Sequence, residues 1–472
     1  MAWEADQNQP AKKPTLSTDQ EEEQQGQDFI SLLPDQILHT ILSKLQFRDA
    51  AVTTAVSKRW APLFPTLPSL LIDAASFNPR DSESDPIDDF SVHDSIKWVD
   101  ALFSVLDSRK TAVKKFDIAV DVLGVDPDFY EVFRDVCVAG VEELSIFNTN
   151  FHDLYRIPSP VFACNTIVKL EIISCKLKVP SHLTGLRAVK SLVLSEVTVV
   201  DDHLRRMISR CKAMEKLVIY DCRKVKNIVI RAPSLSELVI SSYRPVGVVL
   251  KSVPQLASMK ISYDYDPLPL KKCDPEEGTD DEESDYKKPF EGTNEVINLL
   301  SCLNGLRRVE HLDLSFSKQY RVILSKAVMA LPTRLSPKCY LVKLKKLRLR
   351  LPFNYNNMKF NMIISCLLNS SPHLMEIIIS EDTDLHEYKY RPNDLELNFW
   401  EKQLPAKCVK HHLTTATFYL SEDCLGFPKF LLQNAGNLKN MNLIYGGNVA
   451  EKIKNELFAI QKSSPDVEIM IK

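Results

Sequence analysis

Glycine is scarce in this sequence, with 12 residues among 472. No GxGxxG, phosphate-loop, GxSxG or HExxH pattern occurs, which removes the common phosphate cradles, nucleophile elbows and zinc-protease helices. No run of about 18 or more apolar residues is present, so no membrane-spanning helix is expected. The 11 cysteines are scattered, without a CxxC pair or a Cys/His cluster at zinc spacing. That usage points to free, mostly buried thiols in a reducing cytoplasmic or nuclear setting, and to no metal or other cofactor. Charge of one sign is missing as well. A formal net charge of −3 gives no bulk attraction to nucleic acid or to an anionic membrane, and neither is expected as a partner.

What remains is a chain of ordinary globular composition, 44% hydrophobic and 26% charged, too long for a single ordinary core. Residues 1–27 are polar and acidic with isolated apolar side chains, which predicts disorder and no signal peptide. A compact apolar block occupies 28–73. A second acidic stretch, Asp274–Asp285, holds eight carboxylates and reads as a solvated insertion covering about 266–290. Thr279 and Ser284 stand in or beside it as possible phosphorylation sites.

Between these landmarks the pattern apolar-x-x-apolar-x-apolar recurs. It reads Ile167-x-x-Leu170-x-Ile172, Val189-x-x-Leu192-x-Leu194, Met214-x-x-Leu217-x-Ile219, Leu235-x-x-Leu238-x-Ile240 and Leu256-x-x-Met259-x-Ile261. The central residues are spaced by 22, 25, 21 and 21, within the roughly 20–29-residue period of leucine-rich repeats. Weaker copies centre on Phe116, Leu144, Leu312, Leu347, Ile377 and Met441. Each unit supplies a short strand with alternate side chains turned into the core, and no unit can bury its apolar face alone. Some return segments have helical spacing: Leu204, Met207, Ile208 and Cys211 share one face, with Asp201 or Asp202 placed to cap. The fold class is therefore α/β, an N-terminal three-helix block followed by a curved solenoid over 90–400, with a parallel sheet on the concave face and helices and loops on the convex one. Cys175 and Cys222 fall at the repeat position that closes a turn and are expected to be structural.

In the N-terminal block, Pro34 suits a first helical position and Asp35 and Gln36 suit the first turn. Ile37, Leu38, Ile41, Leu42 and Leu45 then form a wide apolar stripe. A second helix is predicted from Arg48 to Val56 and a third around Ser57-Lys58-Arg59-Trp60. The run Leu33-Pro34, Ile37-Leu38, Ile41-Leu42, Leu45, Asp49-Ala50, Val56-Ser57-Lys58-Arg59-Trp60 resembles the plant F-box. It departs from that pattern at Val56, where a Leu is common, and at Ala61-Pro62. The C-terminal stretch 401–472, with Leu404-Pro405, Cys408, Phe427, Phe430-Leu431-Leu432, Asn434-Ala435, Leu438-Lys439, Ile453, Leu457 and Ser463-Ser464-Pro465 following Trp400-Glu401, resembles the FBD domain that ends many plant F-box leucine-rich-repeat proteins. It is expected to complete the solenoid.

That resemblance implies a non-catalytic subunit of a ubiquitin ligase, which docks on a Skp-family adaptor and through it on a cullin while the repeats capture a protein substrate. Leu33, Pro34, Ile37, Leu38, Ile41, Leu42, Leu45 and Trp60 would bind the adaptor or shape its interface. The stripe is wider than a 45-residue block needs for its own core, so some of these residues are expected to serve each purpose. The alternative is a non-degradative repeat scaffold. Ile173, Val193, Val218, Tyr220 and Val239 are expected to form an exposed ladder, which either reflects strand propensity alone or serves as a substrate-docking patch with Tyr220 as anchor. Lys346, Arg348 and Arg350 line up as a basic stripe, read first as a solvated face; the alternatives are that it receives an acidic partner or pairs with the insertion at Asp274–Asp285. No catalytic constellation is read from the chain. The adjacent His411 and His412 lie in a run that looks extended, which would send their side chains to opposite faces.

Overall fold

The computed structural model describes residues 29–30, 32–45, 47–56, 58–73, 103–104, 106–107, 109, 111–120, 129–149, 154–243, 246–263, 292–317, 320, 331–352, 358–381, 398–420, 425–445 and 455–472. The expectations placed on 1–27 and on the acidic insertion fall outside them.

The repeats build one parallel sheet of 14 strands. In chain order its strands are β1 (Ser69–Asp73), β2 (Lys115–Val120), β3 (Glu143–Asn148), β4 (Lys169–Ile173), β5 (Ser191–Ser195), β6 (Lys216–Tyr220), β8 (Glu237–Ser241), β10 (Ser258–Tyr263), β11 (His311–Phe316), β12 (Lys346–Leu351), β13 (Glu376–Glu381), β14 (Thr415–Leu420), β15 (Asn440–Tyr445) and β16 (Glu468–Ile471). Two further strands, β7 (Asn227–Arg231) and β9 (Gly247–Ser252), pair with each other in a separate small sheet.

Register follows from the sequence pattern. Leu144, Leu170, Leu192, Leu217, Leu238, Met259, Leu312 and Leu347 stand opposite one another across successive strands. The second core position, Ile146 through Ile172, Leu194, Ile219, Ile240 and Ile261, makes a parallel row. Both rows are buried, because in a strand of period two these residues share a face. Pairing continues without a break through β14, β15 and β16, so the stretch 401–472 adds three rungs to the same sheet.

The opposite layer consists of the return segments. Helix Asp201–Arg210 buries Leu204, Met207 and Ile208 as its spacing predicts. Asp201 does not cap that helix. Its carboxylate accepts the backbone N–H groups of Lys226 (2.8 Å) and Asn227 (3.0 Å) from the next repeat. In the next two repeats the return segments are strands β7 and β9, where Ile228-Val229-Ile230 and Val248-Val249 are β-branched and favour extended chain. A helix is about 10 Å across while strands stack at about 4.8 Å, so a layer containing helices bends the sheet and makes the strand face concave.

Left-handed residues Ser174, Glu196 and Asp221 end β4, β5 and β6 respectively and turn the chain toward the return layer. Cys175 and Cys222 follow two of these turns, are buried, and bring their thiols to carbonyls of Ile173 (3.2 Å) and Leu194 (3.9 Å). Burial pushes both thiols up to about 12. They are unreactive turn residues.

Toward the C-terminus the core becomes aromatic. Trp400 packs against Phe427 and Phe430, with ring centroids at 4.4 and 5.1 Å, and its indole N–H donates to Asn361 Oδ1 at 3.1 Å. The His411–His412 pair is not extended. Lys407–His411 is a short helix, and the ring of His412 lies 5.1 Å from that of His373.

Candidate functional site

Helix α1 spans Asp35–Leu42 and α2 spans Phe47–Val56. Pro34 precedes α1 in extended conformation, which uses a residue without an N–H where no helical bond would be made. The expected third helix is instead a turn through Lys58–Leu63 that leads into one turn of 3-10 helix, Phe64–Thr66. Pro62 and Pro65 explain the change. Each removes a donor and disfavours helical backbone in the residue before it.

The turn braces α1. Arg59 reaches Asp35 at 2.6 Å and donates to the Leu33 carbonyl at 3.3 Å. His39 Nε2 meets Thr66 Oγ1 at 3.0 Å on the far side. Phe47 and Phe64 pack edge to face at 5.6 Å, and α2 rests on β1, the first strand of the solenoid. The block is thus anchored to the sheet's edge, and α1 is held at its N-terminus and at mid-helix.

The apolar stripe of α1 divides into two parts. Leu38 and Leu42 are 0% and 1% exposed and belong to the core, with Leu33, Leu45 and Trp60 packed partly buried against it. Ile37 and Ile41 are 47% and 38% exposed. Pro34 is exposed beside them. Exposed apolar surface extends to Phe29, Ile30, Leu32 and Val52, four residues outside the expected set. Their signal in the sequence was present, since Phe29, Ile30 and Leu32 are apolar residues preceding a helix whose core they do not reach. Of the eight expected residues, three are accessible and five support them from below or from the side. Ile37 and Ile41, with Pro34 beside them, are thus apolar residues of α1 that the block's own core does not cover.

The strand face turned away from the core carries the second set, but the expected exposed ladder is not found: Tyr220 alone is exposed, and Ile173, Val193, Val218 and Val239 are half-buried between their neighbours. Val193, Val218 and Val239 are direct neighbours across β5, β6 and β8. Ile173 and Tyr220 do not continue that ladder. They lie one row further along the strands, separated by Ser195, because the position level with Val193 on β4 is Glu171. Ile173 instead stands opposite Phe147 of β3. The five residues therefore make one row of three valines, with Ile173 and Tyr220 kept apart by Ser195.

Tyr220 is 39% exposed and meets Tyr243, with hydroxyls 3.4 Å apart and rings edge to face at 6.4 Å. That hydrogen bond, with burial and the carboxylates of Asp221 and Glu196, raises the Tyr243 phenol above its ordinary value. Tyr243 was not foreseen. It follows β8 by two residues, outside the repeating pattern.

Lys346, Arg348 and Arg350 occupy alternate positions of β12 and share one face. Lys346 is engaged by Glu376 of the neighbouring strand at 2.9 Å. Arg348 stands between Asp313 and Ile378, and Arg350 between Ser315 and Ser380. One end of the stripe is thus neutralised by the neighbouring strand, Arg348 and Arg350 are exposed, and the expected acidic partner at Asp274–Asp285 is outside the described residues. Among the described residues no group of three His, Cys, Asp or Glu side chains is arranged to hold a metal ion, and no helix is long and apolar enough to cross a membrane.

Comparison with known proteins places the same two regions. Residues 30–69 match the F-box domain, and residues 129–269 match the leucine-rich repeats of the FBD-associated F-box protein At5g56370. Similar proteins of Arabidopsis thaliana include the F-box protein At3g59000, 29% identical over 61% of this chain and 62% of its own length. The F-box/FBD/LRR-repeat protein At5g56420 is 31% identical over 44% of this chain and 47% of its own, and At1g13570, of the same description, 26% over 50% and 54%. The chain spans about half the length of the relatives it matches.

Proposed function

We propose, from the premise that the chain is a plant F-box and leucine-rich-repeat protein, that it is the substrate-recognition subunit of a Skp–cullin–F-box ubiquitin ligase. The F-box docks on a Skp-family adaptor, the adaptor leads to the cullin, and the repeats hold a protein to be ubiquitinated. The chain makes no bond itself. It acts by proximity, raising the effective concentration of a target lysine near activated ubiquitin. Its place of action is the cytoplasm, the nucleus or both.

The observation that carries this reading is the division of the α1 stripe. Ile37 and Ile41 lie on a helix whose core is already filled by Leu38 and Leu42, so their exposure contributes nothing to the fold. Covering them in an adaptor groove removes apolar surface from water at roughly 25 cal/mol per Å2. The brace from Arg59 and His39 keeps the helix ordered before docking, which lowers the entropy lost on binding. The solenoid beyond β1 supplies a long accessible strand face, the usual capture surface of such repeats.

Calorimetric titration of the full chain with a purified Skp-family adaptor tests the reading. Wild type is expected to bind in the nanomolar to low-micromolar range. The double variant Ile37→Asp, Ile41→Asp is expected to lose at least about 100-fold, equivalent to roughly 2.7 kcal/mol. A folded wild-type chain without adaptor affinity would leave a repeat scaffold and remove the ligase role.

A further inference from the structure

In the return layer, cysteines of two neighbouring segments meet. Cys137 lies in the last turn of helix Phe129–Val138, and Cys164 directly follows the short helix Ser159–Ala163, 27 residues further along the chain. The two helices pack on one another. Gly140, at φ +87°, closes the first of them in a Schellman turn, with its N–H on the Cys137 carbonyl at 3.2 Å and the Val141 N–H on the Val136 carbonyl at 3.3 Å. The turn presents the Cys137 carbonyl to the next segment, where the Cys164 thiol lies 3.8 Å from it. Thr166 Oγ1 stands 3.2 Å from the same sulfur.

This pair differs from the thiols elsewhere in the core. Cys211, Cys302 and Cys408 are buried, and burial pushes each of them up to about 12, which makes them inert. Cys164 is shifted the other way. A hydrogen bond from the Cys137 thiol, with bonds from Thr166 and from the backbone N–H of Ile167, outweighs burial and holds it below the usual thiol range. Cys137 keeps the proton, pushed up by that same bond and by burial. The site is also open at one end. Val138 is 82% exposed, Cys137 is half-buried, and Cys164 retains 6% exposure, enough for an oxidant little larger than water. A low thiol beside a second cysteine that can resolve it is the arrangement in which oxidation stops at a reversible product.

We propose that Cys137 and Cys164 form a redox-sensitive pair that hydrogen peroxide closes into a disulfide, stapling two adjacent return segments of the solenoid. The Cys164 thiolate attacks one peroxide oxygen. The O–O bond breaks, hydroxide leaves and takes up the proton that Cys164 had released to solvent, and Cys164 becomes a sulfenic acid. The Cys137 sulfur then attacks the sulfenic sulfur. The S–S bond forms, the S–O bond breaks, and the departing hydroxide takes the Cys137 proton to make a second water. Two thiols have lost two electrons, and the peroxide has gained them. Closure brings sulfurs already in hydrogen-bond contact to about 2.05 Å. A small thiol reverses the step by exchange and is itself oxidised to a disulfide.

The test exposes the folded, fully reduced chain to a slight molar excess of hydrogen peroxide, blocks the remaining thiols with iodoacetamide and maps the peptides by mass spectrometry. A bridge between Cys137 and Cys164 is expected, forming at least about tenfold faster than oxidation of Cys211 or Cys302, and dithiothreitol is expected to release it. Hydrogen exchange is expected to slow across Phe129–Val138 and Ser159–Ala163 once the bridge has formed. In Cys137→Ser, a cyclic dione that reacts with sulfenic acids is expected to label Cys164, whereas in Cys164→Ser the same exposure leaves Cys137 unlabelled. Wild-type chain in which both thiols stay free while other cysteines oxidise, or in which either bridges elsewhere, overturns the pair whether or not the variants fold. Dione labelling at Cys137 in place of Cys164 overturns the order of attack. A bridge that leaves hydrogen exchange of both helices unchanged overturns the staple.

Discussion

Helix α1 and the solenoid helix Asp201–Arg210 are both amphipathic, yet they use their apolar faces differently. The solenoid helix buries Leu204, Met207 and Ile208 and turns Asp202, Arg205 and Arg206 outward as an ion-paired face. Nothing apolar is left over on its ordered turns. Helix α1 buries Leu38 and Leu42 and leaves Ile37 and Ile41 uncovered. A stripe that matches the core beneath it is structural, and a stripe that exceeds that core leaves apolar residues in water, which is the feature the proposed adaptor docking would use. The comparison separates two roles within one run of leucines and isoleucines.

Unfolding of single variants in urea tests whether the two stripes differ in this way. The largest effect is expected in the sealed rows: Leu217→Ala, or Leu38→Ala on α1 itself, lowers stability by about 2–5 kcal/mol in urea unfolding. Trp400→Phe removes the indole donor to buried Asn361 and is expected to cost about 1–3 kcal/mol by the same measurement. Lys216→Ala breaks an exposed pair with Glu237 and is expected to change stability by less than about 1 kcal/mol, with the difference shrinking further as salt is added. The smallest effect belongs to the uncovered face. Ile37→Ala and Ile41→Ala are expected to stay within about 0.5 kcal/mol of wild type, and a loss as large as that of Leu38→Ala would place them in the core after all.

Much of the fold was legible because the repeat is periodic. Leu170, Leu192, Leu217, Leu238 and Met259 fall on one row as their spacing predicts, and the weaker copies at Phe116, Leu144, Leu312, Leu347, Ile377 and Met441 join it. Leu70, Ala416 and Ile469 also occupy that row and were not read. Leu70 is embedded in the helical block, Ala416 lacks the bulk that marks a core position, and Ile469 lies in a four-residue strand. The division of the α1 stripe was legible only as an excess of apolar residues, since which ones are spare depends on where the turn at Lys58–Leu63 packs. The two-row arrangement of Ile173 and Tyr220 against the valines required the register of β4 on β5.

The most direct test of the central claim is hydrogen exchange of the full chain with and without saturating Skp-family adaptor. Protection confined to residues 29–60, strongest across Ile37 and Ile41, with the helix Asp201–Arg210 unchanged, is the predicted result. Protection on the repeats with the N-terminal block unchanged, or no protection anywhere, would contradict it.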